Sequence, residues 1–189
     1  LRHPGYRLGL HGGIGGPVMR EAAKSAAALG KVGILQDLSE EQLGRILEIA
    51  EPLEVKAGTV IMREDEPGDE VFLFMEGRVD VSKNLTLKIG RTGFGRAEKS
   101  MTKLNAAQAS VFGEMALFGT EPRSATVTAA SDCLLYRIRR EDFAALCDAD
   151  PDLGLKVVRR IAAVLGARLR KGNEDVLKLS TALSIALSK

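Results

Sequence analysis

The stretch that most narrows the choice of fold is residues 52–89, PLEVKAGTVIMREDEPGDEVFLFMEGRVDVSKNLTLKI. Short, partly alternating apolar runs are cut by Ala57-Gly58, Pro67-Gly68-Asp69 and Glu76-Gly77. Alternation at period two reads as half-buried strand, and glycine or proline punctuation reads as turns. The spacing predicts strands near 52–56, 59–63, 70–76, 78–83 and 85–89, and again near 108–112, 125–130 and 133–138. Turn signals roughly every 8–12 residues point to a small β-sandwich or barrel. Between the two groups, GRTGFGRAEKSMTK (90–103) is polar and basic and reads as a solvated hairpin loop. The alternative is a patch for nucleic acid or an acidic partner, but only Phe94 is there to stack on a base.

Helical texture flanks this β region. Residues 1–18, LRHPGYRLGLHGGIGGPV, are glycine-rich and aperiodic and read as a flexible leader, with Met19 as a plausible native start. The GGIGG within it does not meet G-x-G-x-x-G, because Val18 stands five positions after Gly13. Residues 19–30 read as a helix by propensity, ending near Gly30. In LSEEQLGRILEIA, Ser39 and Gln42 have capping-box spacing, and Leu43, Ile46, Leu47 and Ala50 share a face. EDFAALCDAD is a short helix stopped before Pro151. Over 152–171, Leu155, Val158, Ala162, Leu165 and Leu169 recur with 3-4 spacing, and Val157, Ile161 and Val164 widen the apolar face. Such a face suits packing on the β-domain together with a partner helix, so a homodimer through 152–171 is an expectation. The alternative is packing on its own domain only. Residues 172–189 are expected to form one more short amphipathic helix. The class is therefore α+β, with helices at both ends of an antiparallel β-domain.

Composition excludes several functions. With 189 residues, 45% apolar and 28% charged, the chain is sized for one globular domain. A net charge of +2 gives no bulk attraction to nucleic acid. No window approaches the apolar length of a membrane span, and no secretory signal order opens the chain, so a cytoplasmic setting is expected. Cys133 and Cys147 have no metal-ligand spacing. His3 and His11 both precede every strand, which argues against a cupin enzyme, a β-roll whose metal needs clustered histidines.

Residues 112–127, FGEMALFGTEPRSATV, hold the chemistry. EMALF is long enough for one helical turn, whose first amides lack internal acceptors and form an anion cradle. Gly113 at its entry allows close approach to the backbone. Arg123 offers a planar fork for two phosphate oxygens, with Pro122 fixing the approach and the Ser124 hydroxyl beside it. Glu114, an acceptor when ionised, suits a ribose hydroxyl. The alternatives are that Glu114 and Arg123 pair across a turn, or that they act as catalytic acid and base. The segment has no second carboxylate, histidine or nucleophile to divide catalytic roles.

This segment closely resembles the phosphate-binding cassette of cyclic nucleotide-binding domains, found in the catabolite activator family, cyclic-nucleotide-dependent kinases and gated channels. Phe112-Gly113-Glu114, a small apolar turn and Pro122-Arg123-Ser124-Ala125-Thr126-Val127 follow its pattern. Leu38-Ser39, Gly58-Thr59-Val60-Ile61, Glu66-Pro67-Gly68-Asp69 and Glu76-Gly77-Arg78-Val79 look like its ordered landmarks, so the likeness covers residues 31–171. One departure is the approach LNAAQASV, which lacks the Gly-x-Gly-like turn common there and follows a longer loop.

The resemblance, to a stand-alone bacterial-type member, implies a jelly-roll-like β-roll (a double-stranded β-helix) and a ligand of cyclic AMP first, cyclic GMP second. It implies that Glu114 accepts from the ribose 2′-OH and that Arg123 binds the cyclic phosphate. Gly113, Ala116 and Ser124 would help from backbone amides, with Ala125 closing the motif, and Val111 and Met115 would flank the purine. Helix 152–171 would close over the base, with Leu165, Arg168 or Leu169 as the capping residue. The expected function is a cyclic-nucleotide sensor that is not an enzyme, uses no cofactor and signals through its C-terminal helices to an unidentified downstream protein. The rival expectation is a degenerate fold serving as an interaction scaffold. A DNA-binding module after the long helix is not expected, since 18 residues follow Lys171.

Overall fold

The computed structural model of the chain describes residues 26–89, 93–106 and 111–188. The elements are α1 (Ala26–Leu29), a 3-10 turn at Gly33–Leu35, α2 (Glu40–Ile49), β1 (Glu51–Val55), β2 (Val60–Met62), β3 (Glu70–Glu76), β4 (Arg78–Ile89) and β5 (Gly93–Asn105). They continue with β6 (Val111–Phe112), a 3-10 turn at Glu114–Leu117, β7 (Thr126–Ala129), β8 (Cys133–Arg139), α3 (Arg140–Ala149) and α4 (Pro151–Leu187). The expected leader, the first part of the expected helix 19–30 and the start of the strand expected at 108–112 lie outside the described residues.

The β-domain is two four-stranded antiparallel sheets, ordered β1-β8-β3-β6 and β2-β7-β4-β5. The first sheet is covered on both faces, which explains why EVFLFME reads as a nearly continuous apolar run. On β3, Val71 and Leu73 enter a core shared with the helices, while Phe72 and Phe74 enter the core between the sheets. Phe112 stacks on Phe72 with ring centroids 5.4 Å apart and meets Phe74 edge-on. This aromatic cluster anchors the short strand β6 directly ahead of Gly113.

The helical layer is fastened at its ends. The capping box at α2 forms, with Ser39 Oγ accepting from the Gln42 amide and the Gln42 side chain accepting from the Ser39 amide. Arg45 donates to Asp150 at 2.7 Å, and the Gln42 amide group donates to Asp152, which ties α2 to the start of α4. The Asp150 carboxylate also caps α4 by accepting from the Leu153 amide. Ion pairing to Arg160 and Lys156 respectively holds the Asp37 and Asp152 carboxyls below the ordinary range.

Three expectations are corrected. The strands expected at 78–83 and 85–89 are one strand, β4, and the solvated loop expected over 90–103 is largely strand β5. The two pair from Arg78↔Asn105 to Ile89↔Gly93, with one register shift between Val81 and Ser82. An outermost strand needs only backbone pairing on one side, so a polar, basic sequence does not prevent it. The separate helix expected over 172–189 is instead the continuation of α4, which runs 37 residues, about 55 Å at 1.5 Å per residue. The continuation passes through Gly172, since an internal glycine weakens a helix only by about 1 kcal/mol. The exposed pairs Lys171–Asp175 and Asp175–Lys178 straddle the point just beyond it.

Candidate functional site

The cassette is built on a positive φ. Gly113 sits at φ 72° in the left-handed region, turning the chain from β6 into the 3-10 turn. A Cβ there would lie 2.9 Å from Arg123 Nη1 and 3.1 Å from the Glu70 carbonyl oxygen. Only glycine meets both the backbone and the space requirement. The Ala116 amide closes the turn on the Gly113 carbonyl, which leaves the Glu114 and Met115 amides without a partner inside it.

Glu114 and Arg123 are both buried, and they are not paired with one another. The turn-spanning salt bridge weighed from the sequence is absent, because each charge has its own partner. Arg123 donates from Nη1 to the Glu70 carbonyl at 2.8 Å and from Nη2 to Glu70 Oε2 at 3.0 Å. Its guanidinium stands over the Phe72 ring, 5.8 Å from the centroid. Gly68 backs it so closely that a Cβ at that position would overlap the guanidinium. Burial pulls the Arg123 pKa down from its ordinary value, while Glu70 and Asp69 push it back up. The group stays charged at neutral pH.

Glu114 Oε1 accepts from Arg168 Nη1 at 2.6 Å, and Arg168 Nη2 donates to the Val111 carbonyl at 2.9 Å. One arginine of α4 thus clamps the long helix to both ends of the β6 turn. The second carboxylate oxygen, Glu114 Oε2, is buried and has no hydrogen-bond partner. An ionised oxygen in that position calls for a donor.

The remaining predicted residues divide. Ala116 and Ala125 are buried beneath the cassette, and Ser124 and Met115 are exposed beside it. Val111 is placed differently from expectation. Its side chain is fully buried among the helices and the first sheet, so it meets the site through its carbonyl rather than as an apolar wall. Of the three capping candidates, Arg168 is the one tied to the cassette, Leu165 packs partly on the core and Leu169 is exposed. Sequence reasoning missed Glu70 as the partner of Arg123. The signal was present in Pro67-Gly68-Asp69, whose glycine makes room for the guanidinium directly before Glu70.

Chemically, the arrangement offers a buried cation, a buried acceptor and two amides with no partner inside the turn. Among the described residues no cluster of His, Cys, Asp and Glu could hold a metal ion, and no helix is long and apolar enough to cross a membrane. Comparison with known proteins gives a consistent assignment. The family model described as the cyclic nucleotide-binding domain matches residues 52–150. A cyclic nucleotide-gated potassium channel of Mesorhizobium japonicum is 34% identical over 131 residues, 69% of this chain and 32% of the channel. A CRP-like cAMP-activated global transcriptional regulator of Mycobacterium tuberculosis is 24% identical over 151 residues, 80% of this chain and 61% of the regulator. The chain thus spans about a third of the channel's length and under two thirds of the regulator's. Among solved structures, the Thermus thermophilus catabolite activator protein aligns with a TM-score of 0.63 at 27% identity, covering 78% of this chain and 63% of that one. A cyclic nucleotide-binding domain from Methylobacillus flagellatus aligns with a TM-score of 0.66 at 23% identity, covering 84% and 83%.

Proposed function

The chain belongs to the cyclic nucleotide-binding domain family, and from that premise we propose that it is a non-enzymatic sensor of a 3′,5′-cyclic purine nucleotide, cyclic AMP before cyclic GMP. The observation that carries this reading is the buried, unpartnered Glu114 Oε2 beside a buried Arg123. A ribose 2′-hydroxyl donates to Oε2 while Arg168 keeps Oε1, so the sugar is held without breaking the helix clamp. The cyclic phosphate, a single negative charge, takes the Arg123 fork in competition with the Glu70 carboxylate and accepts from the Glu114 and Met115 amides. Ser124 and Ala125 border the phosphate, and Met115 lies exposed where the purine would rest. The ligand binds most tightly when α4 is docked, so it shifts the population toward the clamped state by that difference in affinity.

The output of that shift is carried by α4. Its inward side is Leu153, Val157 and Ile161, all buried. A separate stripe of Leu155, Val158, Ala162, Leu165, Leu169, Gly172, Val176, Leu179, Leu183 and Ala186 keeps strict 3-4 spacing along the helix, and its large members other than Leu165 are exposed. That is the a/d seam of a coiled coil, and its occupant is a second copy of this chain in parallel. Residues flanking the seam bring Arg168 opposite Asn173 and Asp175 opposite Ser180 of the second helix, with no like charges facing. Arg168 therefore borders both the cassette and the seam, which links ligand occupancy to helix pairing.

The test is titration of Glu114→Gln against wild type with cyclic AMP. The substitution keeps the shape but replaces an ionised acceptor with a neutral amide. Nucleotide affinity should fall about tenfold or more, as for a lost charge-assisted hydrogen bond. Equal affinity for the two proteins would remove the ribose assignment.

A further inference from the structure

A cavity borders Arg123. A cleft of about 340 Å³ opens between the outer edges of the two sheets, where β1 borders one and β2 the other. Leu53, Val55 and Phe72 form one wall, Ile61 stands in the other, and Arg137 lines the cleft with them. No residue of 111–118 and none of α4 lines it, so it meets the nucleotide cradle only at Arg123. Its size is in the range of small-molecule pockets, with room for roughly ten non-hydrogen atoms.

The cleft has an apolar body at one end, charges of both signs at the other (Arg63, Glu66, Asp69, Glu70 and Arg123), and in Arg137 a cation with one unsatisfied donor. Arg137 Nη2 binds Glu51 at 2.5 Å and Nη1 faces Glu70 at 3.7 Å, but its Nε–H is buried without a hydrogen-bond partner. A buried donor of this kind is a cost that an anionic oxygen would relieve. We infer that the cleft is a second ligand site, taking a small amphipathic carboxylate with its apolar part among Leu53, Val55, Ile61 and Phe72 and its carboxylate on Arg137.

Glu70 joins this site to the cradle. One of its oxygens holds Arg123 at 3.0 Å, and the other faces Arg137 at 3.7 Å. When a phosphate takes Arg123, Glu70 can turn to Arg137. A carboxylate on Arg137 Nε offsets that guanidinium's charge, weakens its pull on Glu70 and so keeps Glu70 on Arg123. The occupied cleft therefore weakens nucleotide binding, and by linkage the nucleotide weakens the cleft ligand by the same factor. This coupling rests on the nucleotide reading above, whereas the site itself does not.

The probe is octanoate, with octan-1-ol as its uncharged counterpart, titrated against the full chain by methyl NMR. Octanoate should shift Leu53, Val55 and Ile61 saturably, and octanol should bind about tenfold more weakly for want of the charge-assisted bond. Arg137→Gln should erase that preference. Leu53→Trp fills the apolar wall without touching a charge and should exclude both probes. Saturating octanoate should raise the apparent Kd for cyclic AMP several-fold in wild type and not in Arg137→Gln. Absence of saturable shifts in wild type, or unchanged octanoate binding in both variants, overturns the site. Octanoate binding that leaves cyclic AMP affinity unmoved overturns the coupling. Octanoate binding to a chain that binds no nucleotide leaves the cleft standing and refutes the cradle.

Discussion

Replacing Arg168 by alanine removes the side chain whose hydrogen bonds fasten α4 to the cassette. Two hydrogen bonds disappear, to Glu114 Oε1 at 2.6 Å and to the Val111 carbonyl at 2.9 Å. The Glu114 side chain is only 4% exposed and its other oxygen is already unpartnered, so the carboxylate is left buried with no described donor. Breaking a fully buried ion pair costs about 3–5 kcal/mol, and an exposed pair contributes about 0–1 kcal/mol. The Arg168 side chain is 43% exposed, so water refills part of the gap and the expected loss is about 1–2 kcal/mol. Urea unfolding should show the midpoint falling with little change in slope. Cyclic AMP affinity should fall about 5–30-fold, since a loosened Glu114 no longer presents Oε2. Amide exchange should quicken in α4 beyond Leu165, where the core contacts end. A double-mutant cycle with Glu114→Gln should return a coupling of similar size. If Arg168→Ala unfolds at the wild-type midpoint and binds nucleotide as wild type does, the clamp holds nothing and the reasoning fails.

Gly113→Ala should lose nucleotide binding while the sheets remain folded, because the new Cβ is strained at φ 72° and pushes on Arg123 and the Glu70 carbonyl. Circular dichroism beside a binding titration checks this, and wild-type affinity would contradict it. Leu179→Asp places a charge in the exposed seam of α4. Sedimentation should find wild type dimeric and the variant monomeric, and a monomeric wild type with and without nucleotide would refute the paired helix.

The fold was legible where the sequence obeyed one period at a time. EVFLFME, the Ser39–Gln42 box and the stop before Pro151 each had a local cause, and each element formed where that cause placed it. Residues 93–103 read as loop because β5 is polar and basic, and its pairing with β4 comes from a long-range ladder rather than from its own pattern. The stretch 172–187 reads as a short helix of its own, but continuing from a packed, capped start costs no new nucleation, so it extends α4. At the cassette, the residue types identified the chemistry but not the partners. Glu70 lies 53 positions from Arg123 and Arg168 lies 54 from Glu114, and only tertiary structure brings them together.

The most direct measurement is calorimetric titration of wild type and Arg123→Ala with cyclic AMP and cyclic GMP. Wild type should bind cyclic AMP saturably at one site per chain, with cyclic GMP weaker. Loss of the guanidinium should cost about 2–4 kcal/mol, a drop of roughly 30- to 1,000-fold, as for one partner of a buried charged pair. Binding of neither nucleotide by wild type, or equal binding by Arg123→Ala, would contradict the account.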